Sequence, residues 1–329
     1  CQWETALFHE KIVTFFEVCP RFAEKGGCKR RWCDPKILDL LRTYAQDCNL
    51  PQAKQQPTGR IACHGYERFS NCKMIFQLLY WAYQSFFRED AAVTAQTMQI
   101  GNKSCRIYGE AHAEYLLLQM TGKHELQSID HEVAAIAQSS RNFLFAAVPV
   151  ESWNDALSPW EAPAVWRKQG FGGNAEDTLR FLTEQVISTL KQQFDLPENV
   201  KIILGGYSLA GLFALWASTQ TDLFYGVTAA SPSVWFPGWM EFEQQHPMQT
   251  QRVYLSLGDK EERTKNAVMA AVGDNIRALH SRLTERSTDC TLEWNSGGHF
   301  KDADLRTAKA FQWAMEEHTG KPPFFMRKL

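Results

Sequence analysis

The stretch Val200-Lys201-Ile202-Ile203-Leu204-Gly205-Gly206-Tyr207-Ser208-Leu209-Ala210-Gly211-Leu212-Phe213 constrains this chain more than any other. Its β-branched and aliphatic opening reads as a buried strand. Leu209 to Ser218, rich in Leu, Ala, Phe and Trp, reads as a buried helix. Ser208 stands on the joint. A strand that turns straight into a helix strains the backbone of the joint residue. Side chains two before it, and two to three after it, would meet the neighbouring strand or helix. Those positions hold Gly206, Ala210 and Gly211, all small. In the familiar G-x-S-x-G form the last residue is glycine; here Ala210 takes its place and Gly211 adds room. The helix N-terminus behind Ser208 offers backbone N–H groups and a positive dipole end to a developing negative charge.

The chain has 329 residues, 44% of them hydrophobic, enough for one large α/β domain and an additional module. Formal net charge is −2 and the only basic run is Lys29-Arg30-Arg31, which argues against a nucleic-acid partner. No apolar run approaches the ~20 residues of a membrane helix, so no membrane partner is expected. The N-terminus lacks the basic start and apolar stretch of a signal peptide. It opens on Cys1 rather than Met, which is compatible with a trimmed start. The expected compartment is cytoplasmic.

Residues 1–100 read as a Cys-rich, mainly helical module. Asp34-Pro35 starts one helix, with Asp as cap and Pro in the first turn, and another runs from about Asn71 to Phe86. A structural zinc or iron–sulfur site here would draw on Cys19, Cys28, Cys33, Cys48, Cys63, His64 and Cys72. No Cys-x-x-Cys pair occurs, so disulfides or reduced cysteines are the alternatives. Cys105 and Cys290 lie in apparent strands and read as small buried thiols.

From Ser104 strands and helices alternate, the mark of a mostly parallel sheet, and residues 101–329 are assigned to one domain. Strands are expected at 105–108, 114–120, 143–150, 226–230, 252–257 and 290–294. Helices are expected at 126–137, 175–194, 265–285 and near the C-terminus, around Ala308, Phe311 and Trp313. In such sheets ligands bind beyond the carboxyl ends of the strands. Three groups fall there in the order serine, acid, histidine: Ser208, then Asp259, Glu261 or Glu262, then His299. Serine attacks only when a base takes its proton, and the base needs a carboxylate to hold its tautomer. His299, after Gly297-Gly298 at a strand end, suits the base better than the other histidines. Glu261, three residues past Gly258, suits the acid; Asp259 is the alternative, and Glu262 is expected to point elsewhere. Acyl transfer also needs oxyanion donors: the backbone N–H of Leu209, and one from Met120 or Thr121.

These residues resemble the Putative esterase family of α/β-hydrolases, the group with esterase D-like and enterobactin-esterase-like enzymes, and its small bacterial members in particular. The resemblance rests on Gly206-Tyr207-Ser208-Leu209-Ala210-Gly211, Ser231-Pro232-Ser233-Val234-Trp235, Gly258-Asp259-Lys260-Glu261 and Gly298-His299-Phe300, with Trp153-Asn154-Asp155 and Ser158-Pro159-Trp160 ahead of them. It implies an α/β-hydrolase fold from about Ser104 onward and a serine hydrolase of small-molecule carboxylic esters. Ser208 would be the nucleophile, His299 the base and Glu261 the acid, with no metal in the reaction. The first hundred residues match nothing in that family. Trp153, Trp160, Phe171, Trp235 and Trp239 fall in loops expected at the site's rim and would suit an apolar or aromatic substrate group. Acyl transfer with the same residues, or a ligand-binding protein with a metal- or redox-sensitive N-terminal module, are the competing readings.

Overall fold

The computed structural model describes residues 95–316 apart from 140, 166, 167 and 251. They fall in one of the two units into which the chain divides, and only that unit is described. Residues 1–94 of the Cys-rich module, and with them all its candidate metal ligands, lie outside the described residues. At its expected end, Gln96–Ile100 forms the first strand, β1, of the sheet.

Eight strands form that sheet in the order β1-β2-β4-β3-β7-β8-β9-β10. They are β2 (Lys103–Gly109), β3 (Tyr115–Thr121), β4 (Phe143–Pro149), β7 (Lys201–Tyr207), β8 (Gly226–Ala230), β9 (Arg252–Gly258) and β10 (Asp289–Asn295). The edge pairs β1–β2 and β2–β4 are antiparallel, and every other pair is parallel. Two short strands, β5 (Glu161–Ala162) and β6 (Phe171–Gly172), pair apart from it.

β3 is buried along its whole length, as a parallel strand covered on both faces must be. Its alternation splits two cores. Leu116, Leu118 and Met120 face one, with Leu204 of β7 and the helix α5 (Leu209–Gln220). Tyr115 and Leu117 face the other, with α1 (Glu125–Ile136) and α9 (Ala303–Met315), whose Ala308, Phe311 and Ala314 pack there. Each fully buried leucine contributes about 2 kcal/mol. Gly205 of β7 lets α9 close in: a side chain there would collide with Thr228 Oγ1 and the Phe311 ring.

The other helices are α2 (Trp153–Leu157), α3 (Ala175–Phe181), α4 (Ser188–Gln193), α6 (Trp239–Gln245), α7 (Ala267–Ala270) and α8 (Val272–Glu285). The single helix expected over 175–194 contains a π-helical stretch, Leu182–Ile187, between α3 and α4. There Thr183 Oγ1 donates to Leu179 O and Arg180 O, a side-chain bond of the kind that perturbs the backbone ladder. The helix expected over 265–285 is likewise two, α7 and α8, and Asn266 Oδ1 caps α7 by accepting from the N–H groups of Val268 and Met269. Among the described residues no helix is long and apolar enough to cross a membrane. Cys105 is buried and Cys290 half-buried, both as free thiols; burial pushes Cys105 up to about 11 and Cys290 up to about 12.

Candidate active site

Ser208 has φ +57° and ψ −119°, backbone that L-residues rarely adopt. Three bonds hold it: its N–H donates to Ala230 O (3.0 Å), and its carbonyl accepts from Ser233 N–H (3.0 Å) and Leu212 N–H (3.1 Å). A Cβ on Gly206 would lie 2.6 Å from Ala210 Cβ, and one on Gly211 would lie 3.0 Å from Gly206 O. The turn closes only with small residues at those places. Leu209 begins α5, so its N–H has no acceptor within the helix.

The loop after β10 brings His299 back over this turn. Its Nε2 is 3.0 Å from Ser208 Oγ, and its Nδ1 is 2.7 Å from Glu261 Oε2. Glu261 Oε1 accepts from Ser231 Oγ (2.7 Å), the Gly258 N–H (2.7 Å) and Arg306 Nη1 (3.2 Å). Burial pushes the Glu261 carboxyl up, but its bonds to His299, Ser231 and the Gly258 N–H outweigh this and hold it below the ordinary carboxylate range. An ionised carboxylate only accepts, so the imidazole proton sits on Nδ1 and Nε2 is free to accept from Ser208 Oγ–H.

The other two acids of this loop have different partners. Asp259 Oδ1 accepts the Gly297 N–H (2.7 Å), which pins the base of the histidine loop. Glu262 Oε2 takes Arg277 Nη2 at 2.8 Å, on the far side of the loop.

Several groups that sequence reasoning missed hold the arrangement. Arg306, 4% exposed on α9, donates through Nη1 to Glu261, Tyr207 OH (3.2 Å) and Ser231 Oγ (3.3 Å). Its Nη2 donates to Ser296 O (3.2 Å) and Gly298 O (3.3 Å), the carbonyls of the histidine loop. Tyr207 OH donates to His299 O at 2.6 Å. Ser231 and Ser233 thus serve the acid and the serine respectively. One signal was available: Arg306 stands four and five residues before the buried Ala310 and Phe311, on the apolar face of its helix.

β3 runs through Thr121, so Met120 and Thr121 both lie in the strand. The loop proper starts at Gly122, whose N–H already donates to Glu125 Oε2 at 3.0 Å. Of the rim aromatics, Trp235 lines a cleft of about 530 Å³ beside His299, with Met269 and Phe300. Phe171 is buried behind it, ring centroids 6.3 Å apart. Trp153, half-buried, starts α2 against Gly122. Trp160 packs on Phe236 and Phe242 and donates Nε1–H to Pro237 O (2.9 Å). Trp239 is not at the rim: it is fully buried in the core, because α6 turns its first residue inward. Among the described residues no group of three or more His, Cys, Asp or Glu could hold a metal ion.

The strand order and the serine turn at the end of β7 define an α/β-hydrolase-like fold. Residues 115–303, more than half of the chain, match the family described as "Putative esterase", and the chain belongs to that family, as a carboxylesterase-type hydrolase. A stretch of 194 residues is 25% identical to "Uncharacterized protein YbbA" of Bacillus subtilis (strain 168), covering 55% of this chain and 77% of that one. Among solved structures, an IroE-like serine hydrolase from Shewanella oneidensis superposes with TM-score 0.56 at 15% identity, over 67% of this chain and 79% of that one. The siderophore hydrolase EstA from Aspergillus nidulans gives 0.50 at 16%, over 67% and 93%. The enterobactin esterase FES from Shigella flexneri gives 0.51 at 14%, over 68% and 58%. At these identities the structural likeness carries the fold.

Proposed function

We propose that the chain hydrolyses small-molecule carboxylic esters through an acyl-enzyme, with Ser208 as nucleophile, His299 as general base and Glu261 as its orienting acid. The observation that carries this reading is the unbroken hydrogen-bonded path from Ser208 Oγ through the His299 ring to Glu261. In the first half-reaction Nε2 takes the Ser208 proton as Oγ attacks the ester carbonyl. The tetrahedral oxyanion is held by the Leu209 N–H and a donor at the end of β3, Met120 or Thr121. Collapse expels the alcohol, which takes the proton from Nε2. Water then attacks the acyl-enzyme, giving its proton to Nε2, and Ser208 leaves with it. Glu261, ionised before substrate arrives, steadies the imidazolium in both halves. Every proton transfer uses this chain's side chains and water.

One structural neighbour is described as a siderophore hydrolase and another as an enterobactin esterase, which makes esters of that kind candidate substrates. The test is a fluorophosphonate probe followed by peptide mapping, with 4-nitrophenyl acetate turnover alongside. The Ser208 peptide should carry the label, and Ser208→Ala should lose it together with a factor of about 10³ or more in kcat. Label on another serine, or equal turnover by the two proteins, ends this reading.

A further inference from the structure

The loop after β9 is dense in charge, and its acids and bases are sorted. Glu261 is turned inward to His299 and Arg306, Glu262 is held by Arg277, and Asp259 accepts the Gly297 N–H. The cations of the same segment have no such partners among the described residues. Lys260, Arg263 and Lys265 all line the cleft beside His299, and among the described residues none of them forms an ion pair. Asn266, which also lines it, is occupied: Nδ2 donates to Val165 O and Oδ1 caps α7. The other walls include Ser231, Thr264 and the Glu261 carboxylate, whose charge is met by Arg306, together with apolar side chains, Trp235, Met269 and an 87% exposed Phe300 among them.

A concave surface with three unneutralised positive charges raises the local concentration of anions and favours a bound one. Its position assigns which part of the substrate carries the charge. The cleft is lined by Gly298 and His299 but by neither Ser208 nor Leu209, nor by the end of β3. It therefore lies on the imidazole side of the scissile bond. The leaving alcohol must be on that side, since it takes its proton from His299 Nε2. Resting on the hydrolase reading above, we propose that the preferred substrates are esters of a hydroxy acid. The carboxylate of the leaving hydroxy acid is held by Lys260, Arg263 and Lys265, and its apolar body lies against Trp235 and Phe300.

The test compares 4-acetoxybenzoate with methyl 4-acetoxybenzoate, which share an acyl group and differ in the charge of the leaving group. The readout is the ratio of their kcat/KM values in the wild-type chain and in Lys260→Gln/Arg263→Gln/Lys265→Gln. Exposed ion pairs each contribute a factor of roughly two, so the charged-to-neutral ratio should fall roughly tenfold in the triple variant. In the wild type it should also fall as NaCl is raised from about 50 to about 500 mM. A ratio unmoved by the variant overturns the inference. So does a drop confined to the acyl-side pair, mono-4-nitrophenyl succinate against 4-nitrophenyl butyrate, which would put the anion on the other half of the ester. If the wild type turns over none of these esters, the hydrolase reading itself fails. The anion site is then judged by calorimetric titration of 4-hydroxybenzoate into Ser208→Ala, with and without the three substitutions. A Kd several-fold weaker with them upholds the site, and an equal Kd removes it.

Discussion

Two buried glutamates lie near the carboxyl end of the sheet and behave in opposite ways. Glu261, 9% exposed, receives hydrogen bonds at both carboxylate oxygens, from His299, Ser231, Arg306 and the Gly258 N–H. Glu132 of α1, 2% exposed, has one long bond, 3.4 Å from Gln119 Nε2 to Oε2, while its Oε1 has no partner. Burial acts on both and raises both. At Glu261 the donors outweigh it, and the carboxyl titrates below the ordinary range. At Glu132 the single Gln119 bond does not; Asp304 and Glu125 add to burial, and the carboxyl titrates well above it. Gln119 Oε1 and Thr121 Oγ1 beside it are buried without partners as well. Donors, not depth, decide which carboxyl is charged. The charged one is the carboxyl bonded to the His299 ring.

The strongest way to break this contrast is to remove the charge from the satisfied partner. Glu261→Gln keeps the shape but can present its N–H₂ to His299 and favour the wrong tautomer, so kcat for a chromogenic ester should fall by about 10²–10⁴. Stability should respond too. A carboxyl whose folded pKa lies below its unfolded value stabilises above the unfolded value of about 4.5, and that contribution is lost as pH falls through the folded pKa. Urea midpoints between about pH 6 and pH 3 should thus fall less steeply in Glu261→Gln than in the wild type; parallel slopes would refute it.

Next in size is the removal of a donor. Arg306→Met strips a bond from Glu261, Tyr207, Ser231 and two loop carbonyls, and should cost about 3–5 kcal/mol in unfolding free energy. Arg306→Lys, which keeps the charge but not the fork, should recover part of that. In both variants kcat should drop more than KM rises, because the residue positions the acid and the histidine loop without reaching substrate.

The smallest effect sharpens the other side. Glu132 has its folded pKa above the unfolded one, so the folded chain loses stability as pH rises from about 4.5 through the folded pKa. Glu132→Gln removes that dependence and should raise stability at neutral pH by about 1 kcal/mol. Thermal midpoints measured at intervals between pH 4.5 and 8 check this, and equal slopes for the two proteins would contradict it.

Much of the sheet was legible because its signals are local. The runs at β3, β4, β7, β8 and β9 are mainly apolar, and the ends of the expected strands fall within about two residues of the observed ones. The π-helical stretch was not legible, since the helical pattern of 175–194 runs on through Leu182–Ile187. Nor was the place of the tryptophans. Trp235 and Trp239 stand four residues apart in the same kind of sequence, yet one lines the cleft and the other is sealed in the core. An aromatic loop residue carries no mark of which way its loop will fold.

By itself the sequence determined the serine turn, since a strand followed by Gly206, Ser208, Ala210 and Gly211 has few other ways to close. It also determined the chain order of the serine, the candidate acids and the histidine. Tertiary structure alone decided that Glu261, rather than Asp259 or Glu262, meets His299. It alone decided that Arg306 ties Glu261 to the histidine loop, and that Lys260, Arg263 and Lys265 face one cleft with no ion-pair partner among the described residues. The physical reason is reach. Turn chemistry acts over a few residues, whereas a carboxyl's protonation and a cation's partner depend on donors and acceptors brought from strands and helices up to a hundred residues away.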